Sequence, residues 1–220
     1  FFLAIAMEKW NLHKRIALNI ISFVGTDKRS MVLGFMIATA FLSAFLSNTS
    51  TSIMMLPIGI AIISQVSSSK KNKESNFGKV LMLGIAYSAS IGGFSTLYGT
   101  PPNLILKSNI EQFFNYTLDF DYWFMMALPL SILLLFICWY YLVNFTFTLS
   151  KNENISRDQI RVKLNSLGKI KYEEIIVLLI FIGFVFSLLI KSKLQLIFNS
   201  IDDTIIAIFF AILLFILKTK

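Results

Sequence analysis

Residues 31–63 read MVLGFMIATAFLSAFLSNTSTSIMMLPIGIAII, and the polar run Ser47-Asn48-Thr49-Ser50-Thr51-Ser52 in their middle decides the fold. An apolar stretch of about 33 residues is too long for one comfortable membrane span and too short for two of about 20 each. Lys28 and Arg29 precede it, and Lys70, Lys71, Lys73 and Lys79 follow. Basic flanks stay on the cytoplasmic side, so the segment enters and leaves on one side. The pattern predicts a re-entrant hairpin over 31–63 with Ser47 to Ser52 at its tip, carried to membrane depth. Uncharged hydrogen-bonding groups survive there only against protein or a wet cavity, so the tip marks a buried binding site.

Composition agrees with a membrane protein. Hydrophobic residues make up 56% of the chain and charged residues only 15%, with a mean hydropathy of +0.72. A soluble domain of this length is far more polar. The net charge of +8 would suggest nucleic acid in a soluble protein. Here topology accounts for it: about 17 of the 20 Lys and Arg fall in cytoplasmic segments. Making 31–63 a full span would put Lys70 to Lys79 outside and degrade that asymmetry. The chain opens on Phe1, and Phe1 to Met7 is too short to span, so it reads as the tail of a missing helix and the chain as an internal piece. The single cysteine, Cys138, excludes an internal disulfide framework and reads as a packing residue.

Outward from the hairpin, Glu8 to Val24 sets Trp10, Leu12, Ile16 and Ile20 against Lys9, Lys14 and Arg15, the pattern of a helix lying along the cytoplasmic interface. His13 is expected to be a solvated interfacial side chain. Val80 to Leu106 predicts an outward span, interrupted at Gly92-Gly93 and again at Gly99-Thr100-Pro101-Pro102-Asn103. Two consecutive prolines forbid a continuous helix, so this is a discontinuous helix with a loop inside the membrane. Lys107 to Asp121 reads as an acidic external loop. Tyr122 to Phe147 returns inward, with Tyr122 and Trp123 at one end and Trp139, Tyr140 and Tyr141 toward the other. Lys151 to Glu174 is a basic cytoplasmic connector. Ile175 to Ile190 and Ile201 to Leu217 are two further spans, joined outside by Lys191 to Asp203.

The two polar islands can do specific chemistry. At a hairpin tip, carbonyls at the end of one helix and amides at the start of the next converge; the first favour a small cation and the second an anion. Ser, Asn and Thr oxygens are hard neutral ligands suited to Na+. Pro101 and Pro102 are placed to start a helix whose free amides face the break, while Gly99 lets its carbonyl turn toward an ion. Neither island holds Lys, Arg, Asp or Glu. An anion would therefore depend on dipoles and bound Na+ for its desolvation, which makes coupling natural. An isolated Ser43 or Ser88 is more simply a helix-packing or back-bonding residue.

Ser47-Asn48-Thr49 followed by Met54-Met55-Leu56-Pro57, then Ser88-Ala89-Ser90-Ile91-Gly92-Gly93 and Gly99-Thr100-Pro101-Pro102-Asn103, resembles the divalent anion:sodium symporter family. That family includes sodium-coupled dicarboxylate and citrate transporters and sulfate carriers. The resemblance implies an all-α integral membrane, inverted-repeat transporter, homodimeric in the plasma membrane, with an elevator-like transport domain moving against a scaffold. On that pattern residues 1–26 and 149–220 belong to the scaffold side, and 27–148 to the transport domain. The latter comprises hairpin 31–63, broken helix 80–106 and helix 122–147. By position, Ser43, Ser47, Asn48 and the Gly99 carbonyl match the family's first sodium site. Asn48, Thr49, Thr100 and Pro101 match its substrate contacts. A second Ser-Asn-Thr hairpin is implied and does not occur here, so the chain is expected to hold one half of the site. A C4-dicarboxylate such as succinate is favoured over citrate or sulfate only by family frequency. The rival of another class, an intramembrane hydrolase using Ser47 or Ser50, needs a base within reach, and His13 is the only histidine. An ion channel would keep the hairpin but bind no anion.

Overall fold

Asp27 starts the most deeply packed helix of the fold. Its carboxylate accepts a hydrogen bond from Ser30 N at 3.1 Å, which satisfies one of the amides every helix start leaves unpaired. Burial pushes this carboxyl up, but hydrogen bonds from Ser30 and from the backbone of Asp27 and Arg29 together outweigh it and hold it below the ordinary aspartate value. The computed structural model describes residues 2–24, 27–67, 74–147, 149, 165, 167–197 and 202–216, and these are helical throughout their regular parts. In chain order the helices are α1 (Phe2–Lys9), α2 (Leu12–Val24), α3 (Lys28–Ser43), α4 (Asn48–Ser67) and α5 (Glu74–Phe94), then α6 (Pro101–Phe114) and α7 (Phe120–Tyr141). A π turn (Leu142–Thr146) ends α7, and α8 (Tyr172–Ile197) and α9 (Asp203–Ile216) follow among the described residues. Lys70, Lys71, Lys73 and most of the expected 151–174 connector lie outside the described residues.

Glycines reveal how the first helices run. A Cβ on Gly84 would meet Met36 and Val32, and one on Gly92 would meet Ala40, so α5 runs parallel to α3. A Cβ on Gly78 would meet Ile63, and one on Gly59 would meet Met82 and Ile85, so α5 runs antiparallel to α4. It follows that α3 and α4 are antiparallel arms joined at residues 44–47, with α5 packed along both. Glycine at such crossings lets backbones approach closely enough for dispersion to act where lipid removes the hydrophobic drive. Helix α3, apolar nearly all round, buries ten residues among α2, α5 and α7. At 16 residues it rises about 24 Å.

Arg29 identifies one end of the bundle. Its guanidinium donates to Leu149 O at 2.9 Å and to Asn144 Oδ1 at 3.1 Å, while Trp139 Nε1 donates to Arg29 O. The end of α7 therefore meets the start of α3. Arg15 Nε, 2.6 Å from Glu174 Oε2, brings the start of α8 near the start of α2. At the other end of α7 and α8, Lys191 meets Asp119 at 2.7 Å. Among the described residues, three helices are long and apolar enough to cross a membrane: Asn76–Phe94, Phe120–Thr146 and Tyr172–Lys191.

Three expectations need correction. The 8–24 segment is two helices, broken where Asn11 takes a left-handed φ of 55°, and α2 lays its apolar face on α3. His13 is buried rather than solvated, 3% exposed, with Nδ1 2.9 Å from Met7 O. Burial lowers its pKa and only the Met7 carbonyl and Glu8 oppose that, so the ring is neutral at pH 7. Nor is 107–121 a loop: α6 continues to Phe114, where left-handed Asn115 (φ 49°) stops it, leaving 115–119 as the connection. Lys107 extends the helix because nothing between Asn103 and Phe114 breaks it.

Candidate functional site

The parallel run of α3 and α5 brings the end of α3 and the end of α5 to the same level. A Cβ on Gly92 would lie 2.2 Å from Ala40 O and 2.5 Å from Ala40 Cα, so the two backbones touch there. One residue on, a Cβ on Gly93 would lie 2.2 Å from Asn48 Oδ1, and one on Gly99 would lie 2.4 Å from Gly93 O. Asn48, Gly93 and Gly99 therefore stack in sequence. The hairpin tip and the helix break form one structure.

Side chains bind that structure together. Ser43 Oγ lies 2.8 Å from Asn48 Oδ1 and 2.7 Å from Ala89 O. One hydroxyl proton serves one acceptor; turning the Asn48 amide so that its nitrogen donates to Ser43, while Ser43 donates to Ala89 O, satisfies both. Thr96 Oγ1 donates to Ala44 O, joining the break to the hairpin turn. Ser95 Oγ donates to Gly92 O at 2.6 Å. Asn103 Nδ2 donates to Thr96 O at 2.8 Å and to Gly93 O at 3.2 Å. The carbonyls that α5 exposes by ending at Phe94 are thus capped by side chains, as buried backbone requires.

The predicted residues divide into two groups. Ser43, Asn48 and Gly99 come together, Ser43 and Gly99 buried and Asn48 half-buried. Ser47 does not join them through its hydroxyl, which lies 2.8 Å from Ser50 Oγ and accepts from Ser50 N as the cap of α4. Thr49 and Pro101 are exposed and Thr100 half-buried. Among the described residues the Thr49 and Thr100 side chains make no hydrogen bond, so both hydroxyls remain available. Ser88, by contrast, back-bonds to Ile85 O, the packing role its isolation suggested.

One expectation about the second island fails. Pro101 and Pro102 occupy the first two positions of α6 and carry no N–H, and Asn103 N is taken by Thr100 O at 3.2 Å. The start of α6 therefore offers its dipole with few donors. The start of α4 is richer: Thr51 N bonds Ser47 O and Ser50 N bonds Ser47 Oγ, leaving the amides of Asn48 and Thr49 without a partner among the described residues. Free amide donors belong more to the start of α4 than to that of α6.

From sequence Gly93 reads only as an interruption of the 80–106 span, though α5 runs through it to Phe94, and Asn103 has no role of its own. The signal was present: an Asn directly after a Pro-Pro helix start can reach back across the break, and adjacent glycines mark a close approach. Thr51 reads there only as one member of the polar tip. It is fully buried, and its hydroxyl has no partner among the described residues. An orphaned buried hydroxyl one turn below Asn48 suits a polar guest. No group of His, Cys, Asp or Glu fit for a metal ion occurs among the described residues, so the available donors are neutral oxygens. Hydroxyls, an amide oxygen and the Gly99 carbonyl are chemically suited to a hard monovalent cation.

The structure thus sets a neutral polar cluster between the α3–α4 turn and the break after α5. The chain belongs to the sodium:sulfate symporter family: residues 1–219 match the family described as "Sodium:sulfate symporter transmembrane region". It is 42% identical over its whole length to a protein of Staphylococcus saprophyticus called sodium-dependent dicarboxylate transporter SdcS. It is 44% identical, again over its whole length, to the protein of that name from Staphylococcus aureus strain USA300, and 43% identical to that from strain NCTC 8325. The chain spans 44% of the length of these curated relatives.

Proposed function

We propose that this protein contributes to a sodium-coupled symporter of dicarboxylates, with a C4 dianion such as succinate as its substrate. The observation that carries the reading is the meeting of Asn48 with Ser43 on one side and the Gly93–Gly99 break on the other. Ser43, Asn48 and the Gly99 carbonyl supply oxygens for Na+, joined by Ser47 once its hydroxyl leaves the α4 cap. Asn48, Thr49, Thr100 and Pro101 line the anion's side, where the two unpartnered α4 amides meet a carboxylate. With no charged residue in either island, a doubly negative substrate is stabilised only after the cation is in place. That dependence is what couples the two fluxes.

The α3–α4 arms act as a re-entrant hairpin in a multi-pass protein of the plasma membrane. The matching second repeat, with its own Ser-Asn-Thr tip, completes the site. Residues 27–148 then move as part of an elevator-type transport domain, with 1–26 and 149–220 on the scaffold side of a homodimer. The relatives' printed name supports dicarboxylate, while the family's description keeps sulfate and other divalent anions as the second reading.

The test is succinate uptake into proteoliposomes holding the natural full-length protein, with and without an inward Na+ gradient, in competition with sulfate and citrate. Accumulation that needs Na+ and is lost in Asn48→Ala supports the proposal. Normal uptake by that variant refutes the site assignment, and preferential competition by sulfate shifts the substrate.

A further inference from the structure

The break at 95–100 has two halves, and they are anchored differently. Its first half is held from within: Ser95 bonds Gly92 O, Thr96 bonds Ala44 O, and Asn103 holds Thr96 O. The second half carries Gly99, which has no side chain, and Thr100, whose hydroxyl caps nothing. The polar side-chain anchor of that half, among the described residues, is Tyr98. Its ring stacks on Phe120 with centroids 5.9 Å apart and 12° between planes, and its hydroxyl donates to Asp203 Oδ2 at 2.6 Å.

Asp203 begins α9 and comes from 105 residues further along the chain. Two lysines hold it by charge, although its Oδ1 has no hydrogen-bond partner among the described residues. Lys191 Nζ stands 3.1 Å from its Oδ1, and Lys107 Nζ of α6 stands 3.6 Å from its Oδ2. Lys191 also meets Asp119 at 2.7 Å and Asp202 at 3.7 Å. Beneath these charges lie Leu97, Phe120, Trp123 and Leu188, all buried. The side chains of Lys191 and Asp203 are only 5% and 8% exposed, so water does little to weaken their attraction. A carboxylate so immobilised is a rigid post, and Tyr98 is tied to it.

We propose that, in the position of the transport domain that this structure shows, Asp203 is a positioning residue for the ion and substrate loop: acting through Tyr98, it fixes where Gly99 and Thr100 stand, and it releases them when that domain moves against α8 and α9. Lys191 and Lys107 fix Asp203. The inference rests on the symporter reading above and adds to it residues of α8 and α9, remote from either polar island. Tyr98→Phe removes one hydroxyl, keeps the stack on Phe120 and leaves the fold intact. Loss of a hydrogen bond to a charged acceptor at an ion-binding loop is expected to raise the half-saturating Na+ concentration about tenfold, with little change in maximal rate.

The experiment measures the Na+ dependence of uptake at saturating succinate, and the Na+-specific thermal stabilisation, in the natural full-length protein and in four variants. These are Tyr98→Phe, Asp203→Asn, Asp203→Ala and Tyr98→Phe/Asp203→Ala. Expected are weakened Na+ response in Tyr98→Phe and Asp203→Ala, partial rescue in Asp203→Asn because its amide oxygen still accepts from Tyr98, and no additivity in the double variant. An unchanged Na+ response in Tyr98→Phe overturns the inference, whether or not the melting temperature falls. Additive effects overturn it as well. Failure of the underlying symporter reading is distinguishable: there the unmodified protein shows no Na+ response and Asn48→Ala changes nothing.

Discussion

Gly93 offers a direct test of the site, because a single methyl group there strikes the residue on which everything else depends. In Gly93→Ala the new Cβ would stand 2.2 Å from Asn48 Oδ1, 3.0 Å from its Cγ and 3.1 Å from its Nδ2. Ordinary contact begins at 3.4 Å, so the Asn48 amide must retreat by about 1.2 Å. That movement breaks the 2.8 Å contact with Ser43 Oγ, for a loss of about 0.5–1.5 kcal/mol. Overpacking adds about 1–3 kcal/mol more. The amide of Asn48 then no longer stands where both Na+ and substrate need it. The expected result is a rise of at least about tenfold in half-saturating Na+ and a fall in succinate uptake, in a protein that still reaches the membrane. Gly84→Ala is the matched control: its Cβ meets the flexible Met36 side chain at 3.1 and 3.3 Å, which can yield. Na+-driven succinate uptake into proteoliposomes, normalised to protein incorporated, reads both variants. A Gly93→Ala protein with normal Na+ dependence would refute the placement of Asn48 against the break.

Other outcomes follow from the same contacts. Arg15→Ala leaves Glu174, 4% exposed, without its partner, and is expected to destabilise the protein by roughly 3–5 kcal/mol in a thermal melt, with Glu174→Gln milder. Thr96→Val keeps the shape but removes the bond to Ala44 O, and is expected to lower the melting temperature by an amount equivalent to about 1–3 kcal/mol. His13 has a pKa below its ordinary 6.5 because burial disfavours the charged ring, so the unfolded chain takes up the proton first. Its stabilising contribution is complete above pH 6.5 and is lost as pH falls through the lower folded value; a His13→Gln variant is expected to lose that acid dependence in melts taken from pH 8 to 5. Cys138→Ser, at a half-buried position away from both islands, is expected to leave uptake unchanged.

Much of this molecule is legible in its residues taken in order. The apolar excess, the basic flanks and the run Ser47 to Ser52 mark a helical membrane protein interrupted by a polar tip, because hydrocarbon leaves unpaired backbone no other place. Pro101-Pro102 after Gly99 likewise marks a broken helix, since two missing amides cannot be hidden. These are local consequences of chain chemistry. What tertiary structure alone decides is pairing. That α5 lies parallel to α3, so that Gly93 meets Asn48, depends on which faces of two helices fit together. That Asn103 turns back to cap Gly93 and Thr96 depends on the angle at which α6 leaves the break. His13 is buried because α2 finds α3 to lie upon, which an amphipathic pattern cannot distinguish from a membrane surface. Tyr98 and Asp203 stand 105 positions apart, and no spacing rule links them. Local sequence sets the cost of exposing each polar group, but only the packed chain brings up the partner that removes it.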